Sequence, residues 1–138
     1  MMNTYYRPQL TPVTCYAACL QMVLAKIGVR IGHIRAIIGL GNPYNGITAE
    51  QFEYCLSVFS GGRLHLVERK SPLNSLKKGN LVVSYISIRN QCDHAVVISD
   101  FRKTKSGTEY FVLDPLPWKI GWKTRGYFDD FFFEVNPA

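Results

Sequence analysis

The chain has 138 residues, 47% of them hydrophobic and 13% aromatic, enough to bury one core with little room for a second, so a single domain over residues 1–138 is expected. No stretch approaches the roughly 18 uninterrupted apolar residues of a membrane span. The net charge of +6 is carried by scattered Lys and Arg without a recognised binding motif, which argues for a solvated basic surface and against a nucleic-acid partner.

The opening MMNTYYRPQL lacks the apolar stretch of a secretory signal, pointing to the cytoplasm or to export by a system that reads no such signal. The four cysteines are then expected as free thiols. Residues 14–27 form an amphipathic helix, with Ala18, Met22 and Ala25 on one stripe, Thr14 as N-cap and Gly28 as stop. A short helix follows at 31–38, then the turn-rich GLGNPYNG, whose glycines suit a lid. Thr48 and Gln51 have capping-box spacing and open a helix that ends at Gly61-Gly62.

Beyond residue 62 the pattern changes. LHLVER alternates, and LVVSYISI, HAVVISDF and EYFVLD are short runs rich in β-branched and aromatic residues, as strands are. Ser71-Pro72 reads as the start of a brief helix ending before Gly79, KTKSGT as a hairpin turn, and YFDDFFFEV as a closing strand. A helical part over about 1–62 followed by a sheet part over about 63–138 is an α+β arrangement, with the sheet antiparallel.

Cys15 stands at the first turn of the first helix, where unpaired N–H groups and the helix dipole favour a thiolate over a thiol. A free thiol is only a few per cent ionised at neutral pH, so such a nucleophile also needs a base. His94 is the best placed of the three histidines, because it opens an apolar strand that anchors its backbone while its ring faces a cleft. Asp114 closes the next strand and, in a hairpin of 94–101 with 109–114, lies near the end where His94 begins. Asp93 competes with it as orienter, but adjacent residues on a strand point to opposite faces. Gln9, in the approach to the helix, can donate its amide to an oxyanion beside the Cys15 N–H.

Gln9-x5-Cys15-Tyr16-Ala17-Ala18, then His94 leading an apolar strand, then Asp114-Pro115, resembles the papain-like cysteine peptidases. Within them it is most similar to the stand-alone relatives of the transporter peptidase domains that cleave bacteriocin leaders after a double glycine. The resemblance runs from Gln9 to about Pro115. It implies a papain-like α+β fold with Cys15 as nucleophile, His94 as base, Asp114 as orienter and Gln9 as oxyanion donor; Tyr16, Asp93 and Trp118 are the residues expected on the substrate side. It also implies a peptide or protein substrate, no cofactor and no metal, and leaves room for an inhibitor or immunity protein. Those transporter domains usually carry Asp before and Gly after the cysteine; here Thr14 and Tyr16 stand there, nearer to papain itself and to papain-like effectors delivered by bacteria.

Other readings stay open on these residues. The same triad serves acyltransferases, in which an amine or alcohol intercepts the acyl-enzyme, and the same fold serves as a peptide-binding module. A toxin or effector delivered into another cell is a third setting. Cys19 and Cys55 read as core thiols, His33 and His65 as surface or hydrogen-bonded residues, and Trp122 with Trp118 as core packing or a cleft rim. Cys92 two residues before His94 lacks the paired spacing of a zinc site.

Overall fold

A computed structural model of the chain describes residues 5–10, 14–40, 48–86 and 94–137. Three helices come first: α1 (Cys15–Ala25), α2 (His33–Leu40) and α3 (Ala49–Ser60). Next come β1 (Leu64–Arg69), α4 (Leu73–Lys77), β2 (Val82–Ile86), β3 (His94–Thr104), β4 (Gly107–Leu113), β5 (Gly121–Thr124) and β6 (Phe132–Pro137). The six strands form one antiparallel sheet in the order β1-β6-β2-β3-β4-β5. The α+β expectation therefore holds.

Alternation along the strands splits the apolar side chains between two faces. Val83, Ala95, Val97, Phe111 and Leu113 pack with α1, α2 and α3, while Val82, Val96, Ile98, Tyr110 and Val112 pack with Leu76 of α4 and with Phe128 and Phe132. Each face is thus covered. Helix α1 differs from the amphipathic helix expected: Tyr16 through Leu24 are all buried. Wedged between two helices and the sheet, it has no solvent face to fill with polar residues.

Helix α3 begins at the capping box expected of it. Thr48 Oγ1 accepts from the Gln51 N–H at 3.1 Å, and Gln51 Oε1 accepts from the Thr48 N–H at 2.9 Å. It ends where Gly61 takes a left-handed conformation, φ 65°, which glycine adopts without steric cost.

Two features lay outside the hydrophobic pattern. The β3–β4 hairpin runs further than expected, to Thr104 and Gly107, because polar pairs such as Arg102 opposite Glu109 continue the ladder, with Arg102 Nε 2.8 Å from Glu109 Oε1. Strand β5 is four residues beginning with glycine, and only its pairing with β4, Trp122 opposite Phe111, defines it. Of the expected lid at residues 39–46, Gly39 and Leu40 complete α2; the rest, with Cys92 and Asp93, lies outside the described residues.

Candidate active site

Cys15 is the first residue of α1 and is partly exposed. Its Sγ accepts a hydrogen bond from the Ala95 N–H at 3.4 Å, which ties the helix start to the head of β3. Cys19, one turn on, and Cys55 are buried. Burial pushes the thiols of Cys19 and Cys55 up, Cys19 the more strongly, and Cys55 donates to the Gly39 carbonyl at 3.0 Å. Among the three described cysteines, Cys15 is therefore the one with access to a reactant.

His94 opens β3, paired with Ile86 of β2, and is 4% exposed. Its Nε2–H donates to Asp114 Oδ1 at 2.6 Å. That orientation leaves Nδ1 for the Cys15 thiol. Burial by itself would lower the imidazole's pKa, but hydrogen bonds to Asp114 and Cys15, with the charges of both, outweigh it and raise the value to about 9. At neutral pH the ring carries its proton between a carboxylate and a sulfur.

Asp114 follows the last residue of β4 and is fully buried. Oδ1 also accepts from the Leu116 N–H at 2.8 Å, a bond across Pro115 of the kind that Asp makes in turns. Two bonds from residues 5–10 hold the same turn: the Tyr6 hydroxyl donates to the Asp114 carbonyl at 2.6 Å, and the Gln9 N–H donates to the Pro115 carbonyl at 3.0 Å. The segment leading to Cys15 is thereby laced to the Asp114 turn. Burial, then the negative charge of Asp114, raises the Tyr6 phenol to about 12, so it remains a donor at any physiological pH.

Sequence reading brought Cys15, His94 and Asp114 forward, and in the fold they adjoin. It missed Tyr6 and the Ala95 N–H, one because an aromatic near a terminus reads as packing, the other because a backbone group has no sequence signature. Of the residues expected on the substrate side, Tyr16 is 3% exposed and packed in the main core, because its helix is covered all round. Trp118, expected first as core packing, is 76% exposed on the 3-10 turn after Asp114. Trp122 lies partly buried, edge-on to Phe111 at 5.2 Å, with the Arg102 guanidinium over its ring at 4.3 Å.

No protein-family model matches the chain, and no curated protein matches it. Solved structures do. The peptidase domain of Streptococcus ComA, a bifunctional ABC transporter involved in a quorum-sensing pathway, superposes with a TM-score of 0.74 at 14% identity, covering 97% of this chain and 99% of that one. A C39-like peptidase candidate from Bacillus anthracis gives 0.73 at 15% identity, covering 99% and 96%. A double-glycine-motif protease from an AMS/PCAT transporter, solved with its leader peptide, gives 0.70 at 19% identity, covering 95% and 89%. The fold is that of the C39 papain-like peptidase domains.

Proposed function

We propose that this chain is a cysteine peptidase that hydrolyses a peptide bond through Cys15, His94 and Asp114. The observation that carries the reading is the imidazole held between a partly exposed thiol at a helix start and a fully buried carboxylate. The Cys15 thiolate attacks the scissile carbonyl, and the oxyanion meets the Cys15 N–H and the Gln9 amide. His94 gives its Nδ1 proton to the leaving amine, and then, as base, takes one from the water that splits the thioester. Asp114 keeps the ring turned so that Nδ1 faces sulfur throughout. Trp118, exposed beside the Asp114 turn, and Asp93 would meet the peptide.

The likeness to a protease solved with a leader peptide supports a peptide as substrate. Two settings fit this chemistry, leader processing and a toxin acting after signal-independent delivery, where an immunity protein would oppose it. Toxicity on cytoplasmic expression that disappears with Cys15→Ala selects the second.

The deciding experiment is alkylation by iodoacetamide, followed at each cysteine by peptide mass spectrometry across pH, in the wild type and in His94→Ala. Cys15 is expected to react fastest, with appreciable rate below pH 7, and to slow in the variant. A Cys15 that behaves as Cys19 and Cys55 do, indifferent to His94, removes the peptidase reading.

A further inference from the structure

Thr14 and Thr48 both occupy N-cap positions, and they behave differently. Thr48 has the extended backbone of an ordinary cap, ψ 160°, and its hydroxyl accepts from the first turn of α3. Thr14 has ψ 31°, and its side chain makes no capping bond to α1. Its hydroxyl lies instead 2.9 Å from His33 Nε2.

The bonds around His33 fix the direction of that contact. Gln21 Nε2 donates to the Ile31 carbonyl at 3.0 Å, so Gln21 Oε1, 2.8 Å from His33 Nδ1, must accept from Nδ1–H. A neutral ring with its proton on Nδ1 has Nε2 as acceptor, and the Thr14 hydroxyl donates to it. Burial lowers the His33 pKa, which favours this neutral form. Thr14 is 1% exposed and His33 8%, so water does not replace either partner. A relay from the α1–α2 connection through Gln21 and His33 thus ends on the residue preceding the nucleophile.

The ψ angle of Thr14 sets the plane of the Thr14–Cys15 peptide and hence the direction of the Cys15 N–H. We propose that His33 is a positioning residue for the oxyanion donor: by engaging the Thr14 hydroxyl it keeps Thr14 out of the capping conformation and aims the Cys15 N–H at the reacting carbonyl. This rests on the peptidase reading above, in which that N–H meets the oxyanion. His33 itself touches no substrate.

The test compares two reactions at Cys15 in the full chain. Attack on p-nitrophenyl acetate forms a tetrahedral oxyanion before p-nitrophenolate leaves and the thioester remains, whereas displacement of iodide from iodoacetamide forms none. His33→Phe and Thr14→Val are each expected to slow acylation by about tenfold, less than the ~100-fold that outright loss of an oxyanion donor costs, while alkylation changes less than about twofold. Thr14→Ser, which keeps the hydroxyl, is expected to acylate at the wild-type rate. The double variant is expected to be no slower than either single one, since both cut the same link. Acylation and alkylation falling together, or acylation unchanged in Thr14→Val, overturns the proposal. A wild-type Cys15 no more reactive than Cys19 toward either reagent overturns the peptidase reading and the proposal with it.

Discussion

His94 joins charge and geometry at a single residue. Its folded value of about 9 lies above the ordinary 6.5, so the protonated ring contributes stability that is complete below about pH 6.5 and is lost as pH rises through about 9. Urea midpoints of the wild type should therefore fall across that window relative to a His94→Gln variant, which lacks the titration. Activity should fall over the same alkaline range, as the proton for the leaving amine is lost. Asp114→Asn removes the charge that raises the ring and should shift this alkaline limb to lower pH, read from a rate profile. Tyr6→Phe takes away the donor to the Asp114 carbonyl, at 2.6 Å, and should cost about 1 kcal/mol in chemical denaturation. Cys15, His94 and Asp114 were legible as candidates because the proposed chemistry demands those residue types; Tyr6 and His33 were not, since each bonds to a neighbour that only folding supplies.

At the scale of elements, termini were legible where local chemistry closes on itself. Thr48 and Gln51 satisfy one another within a single turn, and Gly61 answers a local demand for positive φ. Thr14 has the same cap-forming side chain and position but bonds to a residue nineteen positions away, so local rules placed the helix start and missed what the hydroxyl does. Strand β6 carries a comparable case. Glu134 is fully buried, receiving hydrogen bonds from Arg69 Nε at 2.8 Å and Asn80 Nδ2 at 2.7 Å, with Lys78 Nζ at 3.9 Å. Burial would raise its pKa, but those bonds and charges outweigh it and hold the carboxyl below its ordinary value. The stability it contributes is present above pH 4.5 and lost on acidification through its folded value. Glu134→Gln should destabilise by about 2 kcal/mol at neutral pH, with a difference from wild type that shrinks as the pH falls below 4.5, measured by urea denaturation.

Over the whole molecule, the helical and sheet parts share their main core: Leu20, Val23 and Phe52 pack with Val83, Val97 and Leu113. Helix α1 is buried on all sides only because the sheet supplies one of them, and helices of eleven or twelve residues are marginal alone in water. A segment ending at Gly62 should accordingly show little helical circular dichroism, and a native-like far-ultraviolet spectrum from it would show that the sheet is dispensable. The site depends on the same assembly, for Cys15 comes from the helices and His94 and Asp114 from a hairpin about eighty residues later. By itself the sequence determined what short-range physics decides: hydrophobic periodicity divides helices from strands, caps and glycines set their ends, and a cysteine, a histidine and an aspartate stand at element termini. Only the tertiary structure decided the strand order, the partners Asp114 and Cys15 that raise the His94 pKa against its burial, the exposure of Trp118, and the bond that turns Thr14 away from its helix. Those depend on which surfaces meet, and pairing between residues distant along the chain leaves no periodic trace in it.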